Sequence, residues 1–152
     1  MKKYLFTFLI ALIIGFFLSN FFLQQYDDFD GIKVSGTGES LYFIQYGVFS
    51  SLESLEEKTI SLQNYVYNKQ DNLYYVYVGI TKEKDNAEKI VNYYKKLGYD
   101  AIIKEFEITN QKFLDLLVNY DEILKNTEDE TVISSIISQV LIKYEEVVIS
   151  GG

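Results

Sequence analysis

The chain has 152 residues, with 14 Lys, no Arg, 22 acidic residues and a formal net charge of −8. It contains no Cys, His, Trp or Pro, yet carries 14 Tyr and 11 Phe. Without Cys or His there is no disulfide framework, thiolate metal site, cysteine nucleophile or imidazole base. An acidic chain without Arg also suits nucleic acid poorly, because that affinity comes largely from basic side chains. These exclusions point to a non-enzymatic protein with no catalytic residue, metal ligand, cofactor or nucleic-acid partner.

Residues 1–3 form a short basic stub, Met1-Lys2-Lys3. Residues 4–23 follow as an apolar run with no charged residue. As a helix, about 20 residues rising about 1.5 Å each would span the hydrocarbon core of a bilayer. Lys2 and Lys3 precede the run, and Asp27, Asp28 and Asp30 follow it. That asymmetry predicts a single span with the N-terminus in the cytoplasm and the rest outside. A cleaved secretory signal is the competing reading. Such a signal should have an apolar core of about 7–15 residues and a small-x-small cleavage site. Leu18-Ser19-Asn20-Phe21-Phe22 is a poor one, so the run is read as an uncleaved signal-anchor. Residues 24–40 are rich in Gly, Ser and Asp and read as a solvated linker.

The folded part is predicted to begin at Leu41, where Leu41 to Phe49 is aromatic and β-branched, as strands are. Ser50 and Glu53 have capping-box spacing, and Leu52, Leu55, Thr59 and Leu62 then share one face of a short helix. Tyr65 to Lys69 reads as a second strand, Gln70-Asp71-Asn72 as a turn, and Leu73 to Ile80 as a third strand. Ala87, Ile90, Val91, Tyr94 and Leu97 line the apolar side of an amphipathic helix, with lysines and other polar residues opposite. Gly98 stands where a left-handed C-cap belongs. Ala101 to Ile108 completes a βαββαβ order, the split βαβ arrangement. The fold class is therefore α+β: a four-stranded antiparallel sheet backed by two helices, over residues 41–108.

An internal repeat supports that order. Tyr42-Phe43-Ile44-Gln45-Tyr46-Gly47-Val48 aligns with Tyr74-Tyr75-Val76-Tyr77-Val78-Gly79-Ile80, 32 residues later. In split βαβ topology these two strands are the central, adjacent pair. Alternation predicts that Ile44, Tyr46, Val48, Val76, Val78 and Ile80 lie beneath the two helices. Phe43, Gln45, Tyr75 and Tyr77 then point to the other side, where Tyr67 or Tyr65 can join them. Two readings of that side stand: an open aromatic platform around one amide, or a second core layer covered by the C-terminal helices.

At these residues the chain resembles a known family. Phe43-Ile44-Gln45-Tyr46-Gly47-Val48-Phe49-Ser50 is similar to the opening motif of SPOR (sporulation-related repeat) domains. Tyr74-Tyr75-Val76-Tyr77-Val78-Gly79 is similar to their second motif, and Ala87 with Leu97-Gly98-Tyr99-Asp100-Ala101 resembles the family's close. The resemblance implies a membrane-anchored protein that binds peptidoglycan, chiefly septal glycan strands stripped of stem peptides. It implies a glycan-binding role for Gln45 and Ser50, and it sets Tyr75 and Tyr77 where many members have Arg or another polar residue. Phe43 and Tyr67 complete the glycan-binding set expected on the open side.

Residues 109–152 lie beyond the resemblance and read as a helical hairpin and tail. Phe113, Leu116, Leu117, Tyr120, Ile123 and Leu124 share one helical face. Val132, Ile133, Ile136, Ile137, Val140, Leu141, Tyr144 and Val148 make a broader second stripe. The hairpin either packs on itself or the domain, or offers a surface to a second copy or to another division or sporulation protein. The acidic clusters, Glu128-Asp129-Glu130 among them, lack an EF-hand's spacing and read as solvated faces. The functional expectation is a single-pass membrane protein whose outer domain binds septal peptidoglycan. The alternative is a membrane-anchored adaptor for another envelope protein, without glycan affinity.

Overall fold

The computed structural model describes residues 38–149. The proposed membrane span, and all of the linker before Gly38, lie outside the described residues. Among the described residues no helix is long and apolar enough to cross a membrane.

The elements follow the expected order. Strand β1 (Glu39–Phe49) leads to helix α1 (Leu52–Thr59), then β2 (Val66–Gln70) and β3 (Leu73–Thr81). Helix α2 (Lys84–Lys96) connects to β4 (Ile102–Ile108). Two further helices, α3 (Gln111–Lys125) and α4 (Glu130–Tyr144), end in a π-helical turn at Glu145–Ile149. The sheet order is β2-β3-β1-β4 with every pairing antiparallel, so the two repeat-bearing strands are central neighbours. The fold is α+β, as the sequence implies.

Local chemistry sets the boundaries. Asp71 and Asn72 carry φ of 50° and 63°, so the β2–β3 hairpin turns through two left-handed residues, a conformation Asp and Asn tolerate. The N-cap of α1 is Ser51, whose hydroxyl accepts from the Ser54 amide at 3.1 Å. Ser50, expected to open a capping box with Glu53, lies one residue before the cap and is exposed. Helix α2 closes as anticipated. Gly98 has φ of 87°, the Tyr99 amide donates to Tyr94 O and the Gly98 amide to Lys95 O, both at 3.0 Å. This is a Schellman motif, and the Tyr94–Tyr99 ring contact at 6.4 Å supplies its apolar clasp. The same clasp displaces Leu97. Placed at the C-cap, Leu97 is 51% exposed rather than part of the core, because Tyr99 turns back to fill the space.

The central pairing contains an irregularity that alternation alone does not foresee. Ile44 pairs with Gly79 and Gln45 with Tyr77, while Gly47 pairs with Val76, leaving Val78 and Tyr46 without direct opposites. Such bulges change which side a residue faces. Phe43 is opposite Ile80, so Ile80 shares Phe43's side and not, as expected, that of Ile44. Gly79 takes the place opposite Ile44. A side chain at Gly79 would meet Ile90 Cγ2 at 3.0 Å, so its absence lets α2 close on the sheet.

The C-terminal helices belong to the same folded body. Strand β2 pairs with β3 only from Leu73 to Tyr77, leaving Gly79 to Thr81 paired with β1 alone. Helix α4 packs against β3 and α2, and Tyr144 on its last turn meets Phe43 across the sheet surface. On α3, Phe113, Leu114, Leu117, Asp121 and Leu124 are buried, while Ile123 is exposed. The buried stripe is thus rotated from the expected one and includes an acid.

Candidate functional site

The expected glycan platform consisted of Phe43, Gln45, Ser50, Tyr67, Tyr75 and Tyr77. The structure brings only some of these together, and it seals most of them. Phe43 (4% exposed), Gln45 (8%) and Tyr77 (6%) are all buried. Their side of the sheet is an aromatic cluster in which Phe43 meets Tyr77 at 5.6 Å, Phe106 at 5.2 Å and Tyr144 at 5.7 Å. Phe113 lies behind Tyr144 at 5.2 Å. All five rings of the cluster interlock edge-to-face, the geometry aromatic quadrupoles prefer. Burial pushes the Tyr77 and Tyr144 phenols well above their ordinary range, so neither ionises under physiological conditions.

The open-platform expectation is therefore corrected at Phe43, Gln45 and Tyr77, which are covered. Physically, the sheet side defined by Phe43 and Tyr77 has too much contiguous apolar surface to leave wet, and Tyr144 and Phe113 cover it. Tyr67 is corrected as well. It pairs with Val76 and its ring lies 6.0 Å from Tyr74, which places it on the other side of β3 from Tyr77. There its burial raises the phenol well above its ordinary range, with Tyr65, Tyr74 and Glu56 of α1 adding to the rise. Tyr75 is half-buried opposite Val48 and Asn68, and Ser50 is exposed beyond the end of β1. At the β4 edge, Ile102 and Lys104 remain exposed.

One polar cluster was missed. Asp121 on α3 accepts from the Thr81 hydroxyl, from the Lys82 amide at 2.9 Å and from Asn86 Nδ2 at 3.2 Å. Asn86 Nδ2 also donates to the Asp121 carbonyl at 3.0 Å. Thr81, Asn86 and Asp121 are all buried. Burial raises the Asp121 carboxyl above its ordinary range, against the lowering effect of its three donors. The cluster fastens α3 to the β3–α2 connection. A cue was present in the sequence: Asp121 falls four residues after Leu117 and three before Leu124, on the apolar stripe itself. Nearby, Lys89 donates to the carbonyls of Leu124 and Thr127 at 3.0 and 2.7 Å and pairs with Glu128 at 3.0 Å. It thereby satisfies acceptors that the end of α3 leaves open.

No protein-family model matches the chain, and no curated protein matches it. Among solved structures, the chain is similar to the peptidoglycan-binding domain of the B. subtilis cell wall lytic enzyme CwlC. Identity is 28% over 50% of this chain and 99% of that one, with a TM-score of 0.39.

Proposed function

We propose that this protein is a non-catalytic peptidoglycan-binding protein, held at the cell membrane by residues 4–23 with its folded part outside. One observation carries the reading. The two SPOR-like motifs form the adjacent central strands of a β2-β3-β1-β4 antiparallel sheet, with both motif glycines at corresponding positions beside the bulge. Sheet order, repeat and motif thus agree with the arrangement that the family resemblance implies. Enrichment on denuded septal strands, during division or sporulation, is the finer form of the proposal.

Burial of Phe43, Gln45 and Tyr77 gives the adaptor alternative a specific support, since the platform shared with the family is closed here. Co-sedimentation of the full-length chain with purified sacculi separates the two readings. The peptidoglycan reading expects saturable pelleting that increases when an amidase has stripped the stem peptides. No pelleting above a mock reaction would contradict it and leave the adaptor.

A further inference from the structure

Burial of Phe43, Gln45 and Tyr77 closes the centre of the motif side and leaves only its Tyr75 and β4 margins accessible, and one cleft on another surface has the right chemistry for a saccharide. It lies where the loop between α1 and β2 meets the C-terminal end of α2 and the middle of α4, with a volume of about 190 Å³. That is smaller than the roughly 300–1,000 Å³ of sites for drug-sized ligands, and suits one sugar ring. Its eleven lining residues include no charged side chain, although charged residues make up 24% of the chain. Hydroxyls, amides and tyrosine rings supply most of its wall.

The polar groups are held in place by one another. Tyr99 donates to Ser61 Oγ at 2.7 Å, Ser134 to Gln63 Oε1 at 3.2 Å, and Asn64 Nδ2 to Ser138 Oγ at 2.8 Å. Each pair joins two different elements. Each also uses only part of what its members offer: Gln63 keeps an NH₂ group, Asn64 a carbonyl oxygen, and Ser61 and Ser138 their hydroxyl protons. Tyr93 and Tyr99, both half-buried, add ring faces for the C–H side of a sugar. At Tyr93 the cleft meets a wider groove of about 670 Å³, whose walls carry Lys89, Lys95 and Lys96 together with Asp85, Glu88, Glu128 and Glu130. Lysines and acids are nearly balanced there, so the groove gives no preference to an anionic ligand.

We propose that this cleft binds an uncharged N-acetylated amino-sugar ring, with the adjoining sugars of the strand running past Tyr93 into the wider groove. The proposal rests on the peptidoglycan reading and relocates its contact surface from the sheet to the α1–β2 loop, α2 and α4. Gln63 and Asn64 would bond the hydroxyl and acetamido groups, and Tyr93 would stack.

The test uses the full-length chain, purified sacculi and chitotriose as a soluble neutral probe. Tyr93→Ala and Gln63→Ala are compared with Val48→Ala, a control at an exposed position of β1. Gln63 is exposed, so its truncation keeps the fold even if Tyr93→Ala does not, and thermal melts check both. The expected result is at least about tenfold weaker sacculus binding for the two cleft variants, as for anchors in a contact site. Val48→Ala should bind as the parent does, and chitotriose should shift the amide resonances of residues 61–64 and 93–99. A parent that binds sacculi while both folded cleft variants bind equally well overturns the cleft and leaves the peptidoglycan reading intact. A parent that binds neither sacculi nor chitotriose overturns both.

Discussion

The two sides of the central strand pair are built differently. On the Ile44 side, α1 and α2 arise from the same repeat as the strands they cover, and Gly79 admits Ile90 to close contact. On the Phe43 side, the cover comes from residues beyond the repeat, with Tyr144 and Phe113 completing an aromatic cluster begun by Phe43, Tyr77 and Phe106. The first side is a local product of the βαββαβ unit. The second joins residues about a hundred positions apart and turns a surface that could bind into interior. A sheet's motif therefore does not fix its exposed face, because a following hairpin can claim it.

The sharpest way to break this contrast is to delete the second cover. A chain ending at Ile108 loses Phe113, Leu117, Leu124, Ile137, Leu141 and Tyr144, all buried. Emptying even one such site costs about 2–5 kcal/mol, and a whole domain holds only about 5–15 kcal/mol. Such a chain should show no cooperative thermal transition. In the intact chain, Tyr144→Ala alone should cost about 3–5 kcal/mol by urea denaturation, comparable with Ile90→Ala on the other side. A truncated chain that melts as the parent does would mean the Phe43 side needs no cover.

Asp121 tests the fastening between the C-terminal helices and the β3–α2 connection. Asp121→Asn turns an acceptor toward the donors of Thr81 and Lys82 into a group that can itself donate, and should cost about 1–3 kcal/mol near neutral pH. The pH dependence has a definite sign. The folded carboxyl titrates above its unfolded value, so the native state holds more protons in the window between the two. Stability from this group therefore falls as pH rises from its ordinary range through the raised folded value, then stays level. The parent-minus-variant difference should follow that slope in chemical denaturation across acidic pH. A difference that rises across the window would show that the hydrogen bonds, not burial, dominate.

On the repeat's own side, the end of α2 gives smaller effects. Gly98→Ala should destabilise by about 1 kcal/mol, because alanine at φ of 87° is strained even though nothing lies within 4 Å of its Cβ. Leu97→Ala, at an exposed C-cap, should stay within about 0.5 kcal/mol. Equal melting temperatures for Gly98→Ala and the parent would contradict the left-handed cap.

What was legible in the sequence follows from range. The strand–helix order, the Asp71-Asn72 turn and the Gly98 cap depend on neighbouring residues, and local pattern revealed them. Ser51 rather than Ser50 as cap is a one-residue matter that two adjacent serines leave open. Leu97 fits the apolar spacing of α2, yet only the return of Tyr99 toward Tyr94 excludes it from the core. Faces were harder still. The bulge at Gln45 and Tyr77 moves Ile80 to Phe43's side, and β-strand alternation carries no mark of it. For the candidate site, the motif residues were found but their exposure was not, since their fate was decided by α3 and α4. The cleft of Gln63, Asn64, Tyr93 and Ser134 draws on three elements and has no linear signature.

The central claim is that the centre of the motif-bearing side, Phe43, Gln45 and Tyr77, is interior, so the proposed saccharide contact lies on another surface. Because the chain has no cysteine, a single introduced thiol reports accessibility without background. Gln45→Cys places it at the centre of the first repeat-bearing strand, and Leu97→Cys provides an exposed reference. Under native conditions, maleimide labelling at position 45 should be at least about tenfold slower than at position 97, with the difference vanishing in denaturant. Equal native rates would show that the Gln45 surface is open, and would return the proposed saccharide contact to the sheet.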